Sequence, residues 1–356
     1  MTTKPANAPS ARTRRANHVS LALILLLPLV AVSAIALGTV NIALGDTFRA
    51  LFDSLFGSLQ GQAQGQAAVI IAEIRLPRVL LAGLIGAILA SSGAAMQGLF
   101  RNPLADPSLI GVSAGASLGA SIAIVAGGSM LAGAMGLALV SLGAFIGGLL
   151  AVIVVYRLAT SANGTSVATM LLAGIAISAL TGAIGNLLEF FSSNDMLRRI
   201  SLWRMGGLDG ADYQRLSFAC VTAALVLIGL PRYARALDAL LLGESEARHL
   251  GIDVDRTTRS LVVIVAIGVG ASVALAGTIA FVGLVVPHIV RMLSGPSHRA
   301  LLRNSALAGA VLLILADLLA RIVLAPTELP VGIVTAVIGV PFFVLLLRQR
   351  GQYGMA

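Results

Sequence analysis

Charged residues are scarce in this chain: Asp, Glu, Lys and Arg make up only 11% of its 356 residues. Soluble globular domains contain about 25% charged residues, so the composition excludes that class. Hydrophobic residues account for 58% of the chain, and its mean hydropathy is +0.96. The apolar runs lack the alternation of outer-membrane strands, which favours membrane-spanning helices. The sequence therefore predicts an all-α polytopic membrane protein.

Cysteine and lysine each occur once. Cys220 cannot form an internal disulfide and, because it lies in an apolar run, is expected to be a small core residue. Lys4 is the only lysine. A P-loop needs a lysine after its glycine-rich turn to reach the nucleotide phosphates, so the chain is not expected to hydrolyse ATP by that route. If ATP drives this protein, a separate subunit hydrolyses it.

Histidine is also rare, and the spacings of metal ligands are missing. His18, His249, His288 and His298 are scattered along the chain. His288 follows Pro287 and is expected to be a hydrogen-bonded structural residue rather than a haem or metal ligand. No cluster of nucleophile, base and metal ligands is recognisable, which argues against a membrane-embedded enzyme. We expect no catalytic residue, no metal site and no covalently bound cofactor.

Uncharged runs long enough to cross a bilayer are abundant. They follow a basic tail, residues 1–18, that is expected to be disordered, and they form one transmembrane domain, residues 19–350. The first run is too long for a signal peptide, and a turn at Gly127-Gly128-Ser129 divides another run into two helices. The ten helices are predicted at residues 19–45, 77–99, two within 107–156, 165–188, 216–230, 260–276, 277–293, 304–324 and 331–347.

The basic residues predict the orientation of these helices. If the N-terminus is cytoplasmic, ten crossings place 16 of the 24 Lys and Arg residues on the cytoplasmic side and eight on the other. This bias agrees with the positive-inside rule, and it also explains the net charge of +9 without nucleic acid. Both termini are then cytoplasmic, and the polar segments 46–74 and 189–215 are expected to lie beyond the opposite surface.

Two sequence features predict how the helices pack. Arg75 and Arg78 precede the second helix as Arg256 and Arg259 precede the seventh, and the two pairs fall on opposite sides of the membrane. This echo points to an inverted repeat of helices two to five and seven to ten. Glycines at a spacing of four are expected to let helices approach closely. Those glycines are Gly111, Gly115, Gly119, Gly143 and Gly147.

Two charged constellations are candidates for a functional role. Segment 242–252 has the pattern of a short amphipathic helix in which Glu244 and Arg248 pair and Gly251 ends the helix. It is either a knob for a soluble partner or a solvated loop. Asp317 and Arg321 lie four residues apart on one face of the ninth helix. Ionisable residues in a membrane helix are usually paired or functional, so this is a structural ion pair unless Arg321 faces a partner or substrate.

Four ordered segments stand out: RLPR followed by GAAMQGLFRNPLADPSLIGVSAGASLG, then LLGESEARHLGI, GTIAFVGLVVPHIVR and ELPVGIVTAVIGVPFFVLLL. In these segments the chain resembles the permeases of iron–siderophore, haem and vitamin B12 ABC importers, the type II importers. The likeness runs from about Ile71 to Arg350. It implies ten helices per subunit in a bacterial inner membrane and a homodimer around a central pathway. The implied partners are two cytoplasmic ATP-binding-cassette ATPase subunits, which hold the ATP, and a periplasmic binding protein.

The resemblance also assigns roles to residues. It gives Arg75, Arg78 and Arg321 the task of receiving acidic residues of the binding protein. It makes the segment of about 238–256 the part of the chain that couples to the ATPase. The coupling residues are Gly243, Glu244, Glu246, Ala247, Arg248, Leu250 and Gly251.

Haem is the transported substrate that the resemblance favours. The stretch Gly111-Val112-Ser113-Ala114-Gly115-Ala116 is more similar to haem permeases, since siderophore members more often carry Asn after the Gly-Ile/Val pair. The vitamin B12 member has Asn where Ala114 stands. Few ionisable groups within the helices also suit a hydrophobic macrocycle. A ferric siderophore or vitamin B12 is the alternative; an ion-coupled secondary transporter would need midplane ion sites, for which the chain offers little beyond Asp317.

Overall fold

In the computed structural model the chain forms a bundle of helices. The structure describes residues 11–38, 66–127, 134–162 and 164–353, together with single positions at 42, 43, 45, 47 and 49. The α-helices are α1 (Ala11–Ala36), α2 (Gln66–Val69), α3 (Leu76–Leu99), α4 (Val112–Gly127), α5 (Ala134–Ala159), α6 (Val167–Phe190), α7 (Asn194–Arg204), α8 (Tyr213–Gly229), α9 (Ala234–Leu240), α10 (Glu244–His249), α11 (Val254–Ala276), α12 (Val282–Ser294), α13 (His298–Ile322) and α14 (Val331–Tyr353). The shorter elements are a π-helical stretch, Ile70–Arg75, two 3-10 turns, Pro107–Ile110 and Leu230–Tyr233, and an antiparallel pair, β1 (Thr160–Ser161) and β2 (Gly164–Thr165).

Seven helical stretches in these ranges are long and apolar enough to cross a membrane. They are α1, Ile70–Leu99, Gly136–Ala159, α6, Tyr213–Leu240, α11 and α13. Three further apolar helices, α4, α12 and residues 331–345 of α14, are shorter. The 16 residues of α4 reach about 24 Å, less than the hydrocarbon core of roughly 30 Å. The chain is thus a multi-pass helical membrane protein, and ten complete crossings remain a prediction.

The first helix differs from its prediction at both ends. Residues 11–18, predicted as disordered, form the first turns of α1, because Ala and Arg favour helix and Ser20 fastens this part of α1 to Asn304. The helix ends at Ala36 rather than at residue 45. Residues 1–10 of the predicted tail, like Gly128 and Ser129 of the predicted turn, lie outside the described residues.

Several segments predicted as loops are helical instead. Residues 66–75 run into α3 through the π-helical stretch, because Pro77 has no amide hydrogen for the regular helical bond at this point. Segment 189–215 contains α7, which begins where the Ser193 hydroxyl accepts a hydrogen bond from the Met196 amide. Likewise α11 begins at Val254 rather than at residue 260, since the Asp253 carboxylate accepts from the Arg256 amide.

Helix α3 lies at the centre of the bundle. In its most apolar window 83% of the residues are buried, against 28% for α1. It packs against α13 so closely that a Cβ added to Gly86 would collide with the Gly309 carbonyl. At the α4–α5 crossing, Gly115 and Gly119 meet Gly147 and Gly143 in the same way, which confirms the predicted packing for these four glycines. Gly111 instead ends the 3-10 turn before α4, with a φ of +81°.

The helix contacts follow an inverted repeat. Helix α3 packs on α13, and α11, the counterpart of α3 in the second repeat, packs on α5. The irregular segments that precede α4 and α12 both reach the interior. The segment before α4 meets the first turn of α12, since a Cβ added to Gly283 would lie 3.0 Å from Cδ of Pro107. Broken helices that meet inside the bundle are typical of transporters built from inverted repeats. The predicted inverted-repeat architecture is confirmed.

Candidate functional site

Three arginines gather at one end of the bundle, which we call the arginine end. Arg78 lies at the centre of an ionic cluster: its guanidinium contacts Asp317 at 2.9 Å, Glu328 at 2.7 Å and Asp209 at 3.3 Å. The second oxygen of Asp317 accepts a hydrogen bond from Arg321 Nε at 3.0 Å. The ion pair between Asp317 and Arg321, predicted from their spacing, is therefore confirmed.

The other arginine contacts fasten the end of α1 to this cluster. Arg75 donates to the carbonyls of Ile35 at 2.6 Å and Ala36 at 2.9 Å. Arg321 donates to the carbonyl of Ala34 at 2.9 Å. The last carbonyls of a helix have no partner within the helix, and here the two guanidinium groups satisfy them. The arginines therefore stabilise α1 against α3 and α13.

The ionic cluster is buried and electrically balanced. Arg75, Arg78 and Arg321 are only 6%, 7% and 4% exposed. Asp209, Asp317 and Glu328 supply three negative charges against these three positive ones; Arg78 contacts all three carboxylates, and Arg321 contacts Asp317. Asp209 and Glu328 have the more exposed carboxylates, with 73% and 33% of their side chains accessible. A soluble protein that approaches this end therefore meets these two carboxylates before the guanidinium groups.

At the opposite end, which we call the hairpin end, α10 lies beside β1 and β2. The predicted turn at Gly251 is confirmed: the amides of Gly251 and Ile252 bond back to the carbonyls of Arg248 and Ala247. Gly251 has a φ of +82°, which glycine adopts without strain. Ala247 is buried and fixes α10 to the bundle, whereas Leu250 is 63% exposed.

The predicted pair between Glu244 and Arg248 does not form. Glu244 lies near Arg101, at 3.8 Å, and Arg248 pairs with Asp255 at 3.2 Å. Both new partners come from neighbouring elements that pack against α10, and their opposite charges compete with the pair along the short helix. Gly243 caps the start of the helix with a φ of +127°, and a Cβ at this position would collide with the Glu246 carboxylate.

Asp255 joins α10 to the hairpin. Its carboxylate contacts the Arg248 guanidinium with one oxygen and accepts a hydrogen bond from the Thr165 amide at 3.1 Å with the other. The hairpin connects α5 and α6. These contacts link α10 to the turn between two membrane-spanning helices. The link could not be predicted from the sequence, because residues 165 and 255 are far apart in the chain.

A second connection joins α9 to the start of α13. The Asp238 carboxylate accepts hydrogen bonds from the His298 amide at 2.9 Å and contacts His298 Nδ1 at 2.7 Å. His298 is fully buried. Its spacing offered no signal for this role, since Asp238 lies 60 residues earlier in the chain.

The remaining candidate ligands are dispersed. The ring of His288 packs edge-on against Phe342, with ring centroids 6.4 Å apart. Cys220 is exposed on α8, so its predicted place in the core is wrong: it lies on the side of the helix that faces away from the bundle. Among the described residues, no three His, Cys, Asp or Glu side chains are grouped to hold a metal ion.

Comparisons with known proteins agree with this architecture. The chain matches the FecCD transport family over residues 24–349. It is 45% identical over 324 residues to the Hemin transport system permease protein HmuU of Yersinia pestis, which covers 89% of this chain and 93% of that protein. It is also 45% identical over 282 residues to the Cobalamin import system permease protein BtuC of Halobacterium salinarum, covering 79% of this chain and 74% of the relative.

A solved structure is similar along nearly the whole chain. It is described as a metal-chelate type ABC transporter in an inward-facing conformation, and it has a TM-score of 0.79 and 32% sequence identity. The match covers 94% of this chain and 99% of the solved one. Because these relatives are permease subunits, the chain is a transport subunit and not itself an enzyme. The chain belongs to the FecCD transport family and is a permease of an ATP-binding-cassette importer.

Proposed function

We propose that this permease moves haem, delivered by a periplasmic binding protein, into the bacterial cytoplasm. The observation that carries the substrate is the match to the hemin permease, which extends over 324 residues, 42 more than the equally identical match to the archaeal cobalamin permease. The alternative substrates are vitamin B12, which the cobalamin relatives favour, and a ferric siderophore. The family membership removes the ion-coupled secondary transporter from consideration.

The proposed orientation places both termini and the hairpin end in the cytoplasm of a cell whose inner membrane holds the protein. The excess of basic residues at that end supports it. The arginine end then faces the periplasm. Two copies of the chain form a homodimer around the pathway, and each copy binds one cytoplasmic ATPase subunit.

The ATPase contact is assigned to α10 and the segment of about 238–256. Two leucines, Leu242 at 66% and Leu250 at 63%, expose apolar side chains at this end that the ATPase subunit would cover. Closure of the ATPase subunits on ATP would press on α10. Asp255 would pass this movement to the hairpin, and Asp238 would pass it to α13. The movement of these helices would close the pathway to one side of the membrane and open it to the other.

Docking of the binding protein is assigned to Arg75, Arg78 and Arg321. Their buried state means that an acidic residue of the partner has to displace Glu328 or Asp209, the two accessible carboxylates that now face Arg78. An exchange of one carboxylate for another keeps the charge of the cluster unchanged. The desolvation cost of the guanidinium groups has already been met in the free permease, which favours such an exchange.

Substrate transport tests the first proposal. The permease is reconstituted in liposomes with the ATPase subunit and binding protein of its own organism, and uptake of labelled haem, cobalamin and a ferric siderophore is measured with and without ATP. Haem uptake that requires ATP is expected. Preferential uptake of cobalamin or of the siderophore would replace haem as the substrate, and uptake without ATP would refute the importer mechanism.

Variants on both sides of the exchange test docking. Arg78→Glu is expected to weaken association of the binding protein and abolish its stimulation of ATP hydrolysis. Glu328→Gln removes a competing carboxylate and is expected to tighten association. Asp195→Asn, an exposed acidic position in α7 of the same polar segment, is the matched control and should leave affinity unchanged. Docking at this cluster is wrong if Arg78→Glu folds and binds normally, or if Glu328→Gln weakens association.

A further inference from the structure

An apolar groove runs along the surface between α1, α12, α13 and α14. Its volume is about 320 Å³, and its walls are almost entirely hydrocarbon. Leu293, Leu315 and Ile338 line it while remaining 44%, 38% and 44% exposed, so the groove opens to the side of the bundle. Because lipid tails are as apolar as leucine, such a groove by itself selects no particular molecule in a bilayer.

Polar side chains close the groove at the hairpin end. Asn304 donates to Ser294 Oγ at 2.9 Å and to the carbonyl of Ala16 at 3.2 Å, and Ser20 Oγ donates to Asn304 Oδ1. Asn304 lies one turn before the lining residue Ala308 on α13, and Ser20 and Ser294 follow the lining residues Val19 and Leu293 in the chain. Toward the hairpin end the hydrocarbon wall is thus followed by this hydrogen-bonded group of Ser20, Ser294 and Asn304, which we call the polar floor.

Basic residues surround this polar floor. Arg303 donates to Ser20 Oγ at 2.7 Å and to Asn17 at 3.4 Å while its side chain remains exposed. Arg15 lies one turn before Val19 on the face of α1 that lines the groove. Arg12 and Arg299 stand one turn further from the groove than Arg15 and Arg303. Four arginines with exposed side chains thus surround the polar floor at this end of the groove.

These positive charges lack local compensation. Among the described residues, none of the four arginines forms an ion pair with a carboxylate. The chain contains no Asp or Glu before Asp46. Their exposed guanidinium groups are therefore open to an anionic ligand where the apolar groove ends.

The geometry points to a binding site for an anionic phospholipid. One acyl chain lies in the groove, and the headgroup phosphate is held by Arg15 and Arg303, whose planar guanidinium groups match phosphate oxygens. Basic pockets between transmembrane helices are established sites for anionic headgroups. The lipid fastens α1 to α12, α13 and α14 at the hairpin end, as Arg75 and Arg321 fasten it at the other end. This inference does not depend on the transported substrate.

Native mass spectrometry of the purified, delipidated full-length chain tests the site. The protein is titrated with phosphatidylglycerol or with phosphatidylcholine, and the bound lipid is counted. Phosphatidylglycerol is expected to bind preferentially, and Arg15→Gln with Arg303→Gln should weaken its binding by about fivefold for each arginine removed. The control pair, Arg256→Gln with Arg259→Gln, removes the same charge from exposed positions at the start of α11.

A second variant separates the groove from the charges. Ala308→Phe fills the groove and leaves every arginine in place, so it should weaken phosphatidylglycerol binding with the melting temperature retained. If the Arg15/Arg303 and Arg256/Arg259 variants lose the same phosphatidylglycerol affinity, general charge attraction explains the binding and the proposed site is wrong. Equal binding of the two lipids would also overturn it. If Ala308→Phe changes the number of chains per particle instead, the groove holds a second copy of this chain.

Discussion

Replacing Asp317 tests whether the ionic cluster at the arginine end depends on one carboxylate. Asp317 is 1% exposed and joins Arg78 and Arg321 with its two oxygens, at 2.9 and 3.0 Å. Asp317→Asn keeps the shape but removes the charge, and its amide nitrogen faces a guanidinium. Hydrogen bonds to charged groups contribute about 1.5–3 kcal/mol each. A loss of about 3–5 kcal/mol in the free energy of unfolding is expected, as for a buried ion pair that loses one partner.

The double variant with Arg321→Met provides the decisive comparison. Arg321→Met removes the guanidinium that Asp317→Asn leaves without its anion. The loss of unfolding free energy in the double variant should therefore be smaller than the sum of the two single losses by about 1.5–3 kcal/mol. Unfolding of the purified protein in detergent is followed through the fluorescence of Trp203, the only tryptophan. Asp195→Asn, from an exposed pair with Arg199, should cost less than about 1 kcal/mol. Additive effects, or a fully stable Asp317→Asn, would refute the role of the cluster.

Three further predictions follow from other contacts. Gly119→Leu forces a side chain into the α4–α5 crossing and should destabilise the protein by about 1–3 kcal/mol or more, measured by thermal unfolding, whereas Gly182→Ala, with no neighbouring atom within 4 Å, should be tolerated. Asp255→Ala removes the contacts to both Arg248 and the Thr165 amide; it should cost only about 1–2 kcal/mol of stability yet reduce ATP hydrolysis by the assembled transporter, and unchanged hydrolysis would exclude the connection through Asp255. Cys220→Leu should change the free energy of unfolding by less than about 0.5 kcal/mol, because this side chain is exposed on the outer side of a membrane-spanning helix; a large loss of stability would contradict its position.

The sequence predicted the helices well because burial in a bilayer requires long uncharged runs, and such runs are visible in one dimension. Their ends were harder to predict. The start of α11 depends on a hydrogen bond from the Arg256 amide to Asp253, and the helical approach to α3 depends on the missing amide hydrogen of Pro77. The N-terminal turns of α1 depend on contacts with Asn304.

A shared helix and a spacing of four residues were not sufficient to predict an ion pair. Asp317 and Arg321 pair as their spacing indicated. Glu244 and Arg248 have the same spacing, but Asp255 lies closer to Arg248 in space. The acidic residues that meet Arg78, at positions 209 and 328, come from distant loops whose approach depends on the packing of the entire bundle.

Helix α13 is fastened at both of its ends. Asp238 binds its first residue, and the ionic cluster holds Asp317 and Arg321 in its last two turns. Its 25 residues span about 37 Å without a proline to bend it. A straight helix held at both ends transmits a displacement along its axis, because its backbone hydrogen bonds keep its length fixed. A displacement of the hairpin end is therefore expected to reach the arginines at the other end of α13 without any intermediate side chain having to change its conformation.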